Sequence, residues 1–176
     1  MEVVKTAIPD ILLIKPSVFN DTRGFFMESF NQLKWSEATR LATYFAQDNH
    51  SCSARGVVRG FHCQMENVQA KLVRVVVGSI FDVALDLRKS SPTFGQYVSA
   101  VLSAENRHQL WIPEGFSHAF MALEDNSEVI YKTTNYYHPE SEQSIKWDDP
   151  NIDVQWPDPG APVLSDKDSS AILFSE

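Results

Sequence analysis

Residues that could transfer protons or bind an anion are concentrated in three short segments of the chain. The first contains Arg59, His62 and Lys71, close together on what the apolar pattern predicts to be neighbouring strands. Alternation along a strand places Gly60, His62 and Gln64 on one face, and it places Lys71 on a face otherwise made of valines. An imidazole can act as a base near neutral pH, and a lysine or arginine can stabilise negative charge.

The catalytic interpretation of this first segment is not the only one. Arg59 and His62 are three residues apart, so a straight strand directs their side chains to opposite faces. A β-bulge at Gly60 would bring both inward, but alternation alone does not decide this. A single histidine on an apolar face is more often a core residue, and a single lysine more often lies at the surface.

The second and third segments are residues 111–120 and 131–142. In the second segment, His118 alternates with two phenylalanines and therefore shares their face, which fits a core and a binding site equally well. In the third, even spacing gives one polar face, made of Tyr131, Thr133, Asn135 and Tyr137. A polar row inside a barrel would face a ligand because an apolar core would reject it, whereas a row on the outside faces solvent.

The histidine pattern disfavours a metal-dependent catalyst. A histidine-based iron or manganese site in a small β-barrel needs ligands that alternate on a strand, such as His-x-His. None of the five histidines has this spacing, and Gln64 occupies the position where a second ligand would follow His62. Phosphate-binding glycine loops, dinucleotide fingerprints and nucleophile elbows are also absent from the sequence. Proton transfer is the chemistry that remains.

Charge and composition narrow the function further. The net charge of −8 over 176 residues argues against a nucleic-acid-binding protein and repels anionic ligands, so a phosphorylated substrate requires a local group of arginines and lysines. The sequence contains no run of about 18 apolar residues, so no membrane span is predicted. The N-terminus does not resemble a secretory signal, and Cys52 and Cys63 form no metal-type pair. We therefore expect a cytoplasmic protein with two reduced thiols.

The elements that must position these residues are short strands. Apolar runs rich in β-branched and aromatic residues recur between turn-forming residues, and one helix is predicted at residues 32–41. The predicted strand regions are 11–16, 24–30, 43–47, 56–64, 71–87 (two strands around Gly78), 95–102, 117–123 and 128–135. This pattern predicts an all-β antiparallel sandwich or barrel, in one domain over residues 1–176 with a C-terminal arm at 156–176. Several strands are apolar on both faces, which favours a homodimer.

Eight runs of sequence, in this order, resemble the dTDP-4-dehydrorhamnose 3,5-epimerase family. The similarity extends from about residue 3 to residue 168. The runs are 23–30 (RGFFMESF), 47–51 (QDNHS), 56–64 (GVVRGFHCQ), 71–74 (KLVR), 81–95 (FDVALDLRKSSPTFG), 102–106 (LSAEN), 111–118 (WIPEGFSH) and 131–137 (YKTTNYY).

The resemblance implies a fold, a reaction and a set of catalytic residues. It implies a cupin-type jelly-roll barrel of antiparallel strands, dimeric and without metal or other cofactor, that inverts C3 and C5 of dTDP-4-dehydro-6-deoxy-D-glucose. By analogy His62 is the general base, Asp168 supports it, Tyr131 is the general acid and Lys71 stabilises an enolate. This assignment agrees with the chemistry, because hydrogens beside a ketone are acidic enough for a histidine to remove.

The resemblance also implies a set of substrate-binding residues. Tyr137 matches a ring that stacks on thymine, and Arg23 and Glu28 match residues that reach the site of the partner subunit. The positions that match are Arg23, Glu28, Gln47, Asn49, Arg59, His118, Tyr137, Glu142 and Lys167. The flanks of the catalytic residues depart from the usual pattern at Phe61, Cys63 and Ala70.

Three other functions are alternatives to a double epimerase. An epimerase acting at C3 or C5 alone would use the same base and acid, so the sequence barely separates it from the double epimerase. A non-catalytic sugar-nucleotide-binding cupin would be expected to lack the base or the acid, and both His62 and Tyr131 are present. A metal-dependent cupin oxygenase is disfavoured by the histidine spacing.

Overall fold

The computed structural model describes residues 1–157 and 160–174, which are built mainly from antiparallel strands. The strands are β1 (Glu2–Lys5), β2 (Leu12–Lys15), β3 (Val18–Asp21), β4 (Gly24–Met27), β5 (Gln47–Ser53), β6 (Val58–Gln64), β7 (Lys71–Val77), β8 (Ser79–Asp86), β9 (Tyr97–Ser103), β10 (Gln109–Ile112), β11 (Phe116–Ala122), β12 (Ser127–Thr133) and β13 (Glu142–Ser144). The helices are α1 (Gln32–Thr39), α2 (Asp166–Ser169) and a 3-10 turn (Pro139–Ser141). The predicted all-β class with one or two short helices is confirmed.

Two sheets form the body of the fold. The first has the order β1-β2-β10-β7-β12-β5, the second has the order β13-β6-β11-β8-β9, and β3 and β4 form a separate hairpin. Successive strands alternate between the two sheets from β5 to β8 and again from β9 to β13, whereas β1 pairs with β2 and β8 pairs with β9 within one sheet. This alternation between two antiparallel sheets is the arrangement of a jelly roll, so the predicted cupin-type fold is confirmed.

The core lies between the two sheets because each contributes a row of apolar side chains to it. Val73 and Val75 of β7 pack in one cluster with Ile80 of β8, Leu102 of β9 and Leu110 of β10, and all five are at most 4% exposed. Alternation then directs the intervening side chains outward.

Other parts of the chain cover much of the outer face of each sheet. Trp35 of α1 packs against Leu72 and Trp111 on the first sheet, and Trp156 of the C-terminal arm packs against Phe61 on the second. Strands with two apolar faces therefore do not by themselves require a second copy of the chain, because a helix and an arm bury these residues. The homodimer stays a prediction.

Several predicted boundaries change in the structure, including those of one strand and of the helix. The predicted strand at residues 43–47 is wrong, since β5 begins at Gln47 and continues to Ser53. This strand is polar and alternates between half-buried and exposed residues, so it carries no apolar signal. The predicted helix at 32–41 is present but ends at Thr39, where Arg40 adopts a left-handed conformation with φ 62°.

The C-terminal arm returns to the second sheet and is attached there at two points. Val163 bridges to Val57 and Ile172 bridges to Ile145, both in parallel. Helix α2 lies between these two attachments. Positions 158, 159, 175 and 176 of the predicted arm lie outside the described residues.

Candidate active site

Two adjoining cavities share His62, Lys71 and Tyr131 in their walls. The first, here called the tyrosine cavity, has a volume of about 290 Å³ and is also lined by Tyr137 and, among others, by Gln47, Asn49 and Glu142. The second, here called the arm cavity, has a volume of about 500 Å³, and its further lining residues include Arg59, His118, Lys167 and Asp168. Eleven of the thirteen residues predicted for the site therefore line one or both cavities.

A β-bulge at Gly60 turns Arg59 and His62 toward the same cavity. Along the β6–β11 pair, His62 lies opposite His118 but Arg59 lies opposite Phe120, so β6 contains one extra residue. Gly60 has φ 111°, and a Cβ there would lie 2.4 Å from the backbone oxygen of His118. Only glycine fits this close approach, which resolves the alternative that strand alternation left open.

His62 is held by a carboxylate that comes from the C-terminal arm. Its Nε2 lies 2.5 Å from Oδ1 of Asp168, whose side chain is only 3% exposed. Ser165 caps α2 by accepting a hydrogen bond from the backbone N–H of Asp168, and its hydroxyl donates to Oδ2. Burial raises the pKa of Asp168, but the hydrogen bond from His62 and its charge lower it further, so the carboxyl stays ionised.

Lys71 is a half-buried cation at the start of β7. Burial lowers the pKa of its ammonium group from 10.5 to about 8, against the opposing influence of Cys63, Glu142 and Asp82. An ammonium group with this pKa is mostly charged at neutral pH. Such a charge, partly shielded from solvent in the cavity wall, can stabilise a developing oxyanion.

Tyr131 extends from β12 into both cavities. Burial raises the pKa of its phenol above the ordinary value of 10, and the charge of Arg59 only partly opposes this. The phenol therefore holds its proton at neutral pH and can donate it.

His118 forms a second histidine–carboxylate pair, with Asp82. Its Nε2 lies 2.6 Å from Oδ1 of Asp82, and the two side chains are 7% and 0% exposed. Burial lowers the pKa of His118 despite the charge of Asp82. Sequence reasoning missed Asp82, although an acidic residue inside the apolar run of β8 was a signal that could have found it.

Glu142 joins the tyrosine cavity to the arm. Its Oε2 accepts a hydrogen bond of 2.8 Å from the Tyr137 hydroxyl and forms an ion pair of 2.8 Å with Nζ of Lys167. Burial raises the pKa of Glu142, but its hydrogen bonds with Lys167 and Tyr137 lower it further, so the carboxylate is charged.

One family model matches nearly the whole chain. The model described as dTDP-4-dehydrorhamnose 3,5-epimerase matches residues 5–176. The chain belongs to this family.

Curated relatives support the same assignment. The chain is 55% identical over 177 residues to the dTDP-4-dehydrorhamnose 3,5-epimerase of Salmonella typhimurium, covering all of this chain and 97% of that protein. It is 56% identical over 176 residues to the enzyme of the same name from Neisseria gonorrhoeae, of whose length it spans 53%. The predicted enzyme class, an isomerase, is confirmed.

Solved structures of the family have the same fold. The dTDP-6-deoxy-D-glucose-3,5-epimerase of Legionella pneumophila, crystallised with dTDP-4-keto-L-rhamnose, superposes with a TM-score of 0.96 at 46% identity, over 98% of this chain and 92% of that one. A 3'-monoepimerase from Streptomyces bikiniensis, crystallised with dTDP-quinovose, superposes with a TM-score of 0.90 at 32% identity, over 98% and 87%.

Two of the predicted binding residues of this epimerase-family chain lie apart from both cavities. Arg23, on the β3–β4 turn, is exposed and pairs with Asp21, and Glu28 pairs with Lys34 and bonds to Asn31. Neither residue lines the tyrosine cavity or the arm cavity. Their assignment to a partner's site stays a prediction.

The polar row predicted at residues 131–137 is not a single ligand-facing row. Strand β12 ends at Thr133, which is fully buried and donates its hydroxyl hydrogen bond to the backbone oxygen of Asn135. Thr133 is therefore satisfied by the chain itself. Tyr131 and Tyr137 still reach the tyrosine cavity because the chain turns after the strand.

Neither a metal cluster nor a membrane helix is found in residues 1–157 and 160–174. No group of three or more histidine, cysteine, aspartate or glutamate side chains there is placed to hold a metal ion. No helix in these ranges has the length and apolar character needed to cross a membrane.

Proposed function

We propose that this protein inverts C3 and C5 of dTDP-4-dehydro-6-deoxy-D-glucose to give dTDP-4-dehydro-L-rhamnose. The observation that carries the proposal is the convergence of His62, Lys71 and Tyr131 on the wall shared by two cavities, in a chain of this family. An imidazole, an ammonium group and a phenol are the base, the charge stabiliser and the acid that such a reaction needs.

The proposed first step is removal of a hydrogen from carbon beside the C4 ketone. Nε2 of His62 is engaged with Asp168, so its Nδ1 is the nitrogen available to take the proton. In this tautomer Nε2–H donates to the carboxylate, which then stabilises the imidazolium that forms. The negative charge moves onto the ketone oxygen, and the ammonium group of Lys71 stabilises the resulting enolate.

The proposed second step returns a proton to the opposite face of the sugar ring. Tyr131 lines the same cavities as His62 but comes from the first sheet, whereas His62 comes from the second. Its phenol keeps its proton at neutral pH because burial raises its pKa. A donor on the other face from the base gives inversion rather than simple exchange. Proton transfer through an enolate involves no net oxidation, so the proposal includes no cofactor.

The proposed nucleotide site uses the remaining residues of the two cavities. Tyr137 would stack on thymine, while Arg59 and Lys167 would bind the pyrophosphate and offset the overall charge of −8. Gln47, Asn49, His118 and Glu142 would complete the contacts. The hairpin exposes Phe25 and Phe26, at 55% and 67% exposure, which supports a homodimer in which Arg23 and Glu28 reach the partner's site.

Hydrogen exchange in heavy water tests the proposal. The protein is incubated with the 4-keto nucleotide sugar in D₂O, and NMR locates the deuterium. We expect label at both C3 and C5. Label at one carbon only would instead identify a single-position epimerase, a class represented among the solved structures by the Streptomyces bikiniensis enzyme. No label, with binding intact, would mean a non-catalytic binding protein.

Assignment of the acid is tested separately. Tyr131→Phe removes the proton donor but keeps the ring, so we expect it to slow formation of the inverted product more than loss of the substrate hydrogen. Exchange and inversion are measured on the same sample. If the variant instead loses affinity for the substrate and leaves both rates unchanged at saturation, Tyr131 has a binding role.

A further inference from the structure

Glu142 contacts both ends of the site. On one side it accepts a hydrogen bond from Tyr137, which the proposed function assigns to the thymine. On the other it pairs with Lys167, which lines the arm cavity, whereas Glu142 itself lines the tyrosine cavity. The ion pair therefore crosses the boundary between the two cavities.

Lys167 and Asp168 are consecutive residues of α2, a single turn of helix. A contact that fixes Lys167 therefore restrains the carboxylate of Asp168, which lies 2.5 Å from the base His62. Such a short helix has little stability of its own, and its position depends on the contacts it makes. Glu142 is well placed to provide one, because β13 pairs directly with the strand that carries His62, with Ser144 opposite His62.

We propose that Glu142 is a positioning residue that links the nucleotide end of the site to the general base, through Lys167 and Asp168. The proposal rests on the function proposed above. Occupancy of the nucleotide end orders Tyr137 and Lys167 around the same carboxylate oxygen, which fixes α2 and holds Asp168 against His62. Binding energy gained far from the reacting carbons is thus used to orient the base.

The first test compares two glutamate-to-glutamine variants. Glu142→Gln keeps the shape of the side chain but removes the charge that holds Lys167. We expect kcat at saturating substrate to fall about tenfold or more, since a contact that only bound substrate would affect KM alone. Glu140→Gln is the matched control, because Glu140 is 75% exposed and two residues away. It should change kcat less than about twofold.

A double-mutant cycle tests the link itself. Lys167→Met breaks the same ion pair from the other side, and its side chain is 47% exposed, so this variant also tests the proposal if Glu142→Gln does not fold. If both act through one link, the double variant should lose about as much kcat as the more impaired single variant. Multiplication of the two losses would overturn the proposal.

An NMR measurement separates this proposal from the proposed function. The Nε2 proton of His62, assigned by its absence from His62→Asn, should give a downfield resonance that dTDP sharpens in the wild type and in Glu140→Gln. It should be weak and unaffected by dTDP in Glu142→Gln. An unchanged response in Glu142→Gln would overturn the link even if the enzyme is active. A wild type that shows the response but exchanges no substrate hydrogen would support the link and contradict the proposed function.

Discussion

Two histidine–aspartate pairs in the described part of the chain have similar geometry and different surroundings. In His62–Asp168 the nitrogen and oxygen are 2.5 Å apart and the imidazole is 25% exposed, whereas in His118–Asp82 they are 2.6 Å apart and the imidazole is 7% exposed. The first carboxylate arrives on the arm, 106 residues away along the chain. The second lies on β8, the neighbouring strand of the same sheet.

The difference shows that burial and hydrogen bonding can give different roles to two pairs of the same residue types. Oδ2 of Asp82 is buried without a hydrogen-bond partner among the described residues, and burial lowers the pKa of His118. Burial of the charged form of this pair therefore costs free energy. Asp168 has both oxygens bonded, and its partner faces the space where a substrate would bind. We therefore expect the first pair to serve chemistry and the second to fix the shape of the cavity wall.

Replacing each histidine should give the largest contrast. His62→Asn removes the proposed base, and we expect deuterium exchange of the substrate to fall by about 10³-fold or more. His118→Asn should reduce exchange far less, by about tenfold, because it disturbs the cavity wall but leaves the base in place. Exchange rates measured by NMR at saturating substrate decide this, and comparable losses would remove the distinction between the pairs.

Replacing the two carboxylates should have opposite consequences: loss of Asp168 should mainly lower activity, and loss of Asp82 should mainly lower stability. Asp168→Ala should lower kcat by about 10²-fold and the free energy of unfolding by about 1 kcal/mol or less, since His62 can be hydrated. Asp82→Ala leaves the imidazole of His118, which is only 7% exposed, without its carboxylate partner, so we expect a loss of about 2 kcal/mol in stability. Urea unfolding and steady-state kinetics on both variants test this opposite pattern. Equal losses of stability in the two variants would contradict it.

Loss of the charge on Lys71 should make kcat fall at alkaline pH. The pKa of Lys71 is about 8, so its charge is lost as pH rises through that value and kcat should fall about tenfold per pH unit above it. Lys71→Arg should be slower but should not show this limb near pH 8, because arginine stays protonated. If the decline of kcat near pH 8 persists unchanged in the arginine variant, another group is responsible for it.

The same group should affect stability in the opposite direction. The folded-state pKa of Lys71 lies below its ordinary value of 10.5, so the unfolded chain binds more protons between about pH 8 and 10.5. Its contribution to stability therefore rises with pH across that window. The difference in unfolding free energy between the wild type and Lys71→Met, measured at several pH values, isolates this contribution.

The smallest expected effect concerns the tyrosine at the nucleotide end. Tyr137→Phe keeps the ring but removes the hydroxyl that donates to Glu142. The hydroxyl is exposed to solvent, so we expect dTDP affinity to fall only about threefold, whereas Tyr137→Ala should lose the stacking surface and weaken binding more. Calorimetric titration with dTDP distinguishes the two, and equal losses would contradict stacking.

The sequence alone allowed the prediction of the fold class, the helix at α1 and the residues around both cavities. It did so because apolar periodicity marks buried strands, and because the eight runs that resemble the family contain His62, Lys71 and Tyr131. It placed the strand before residue 47 wrongly, since β5 is polar and has no apolar period. It also missed Asp82, whose partner lies on another strand.

The sequence by itself determined local properties, namely the alternation of side chains and the apolar content of the strands. It also supplied a glycine at position 60, where the close approach of the neighbouring backbone leaves no room for a side chain. What only the tertiary structure decided are the contacts between distant segments. The bulge that turns Arg59 and His62 the same way depends on pairing with β11. The carboxylate that reaches His62 depends on how the arm returns to the second sheet. Both depend on the packing of segments far apart in the chain, and local patterns such as strand alternation do not reveal that packing.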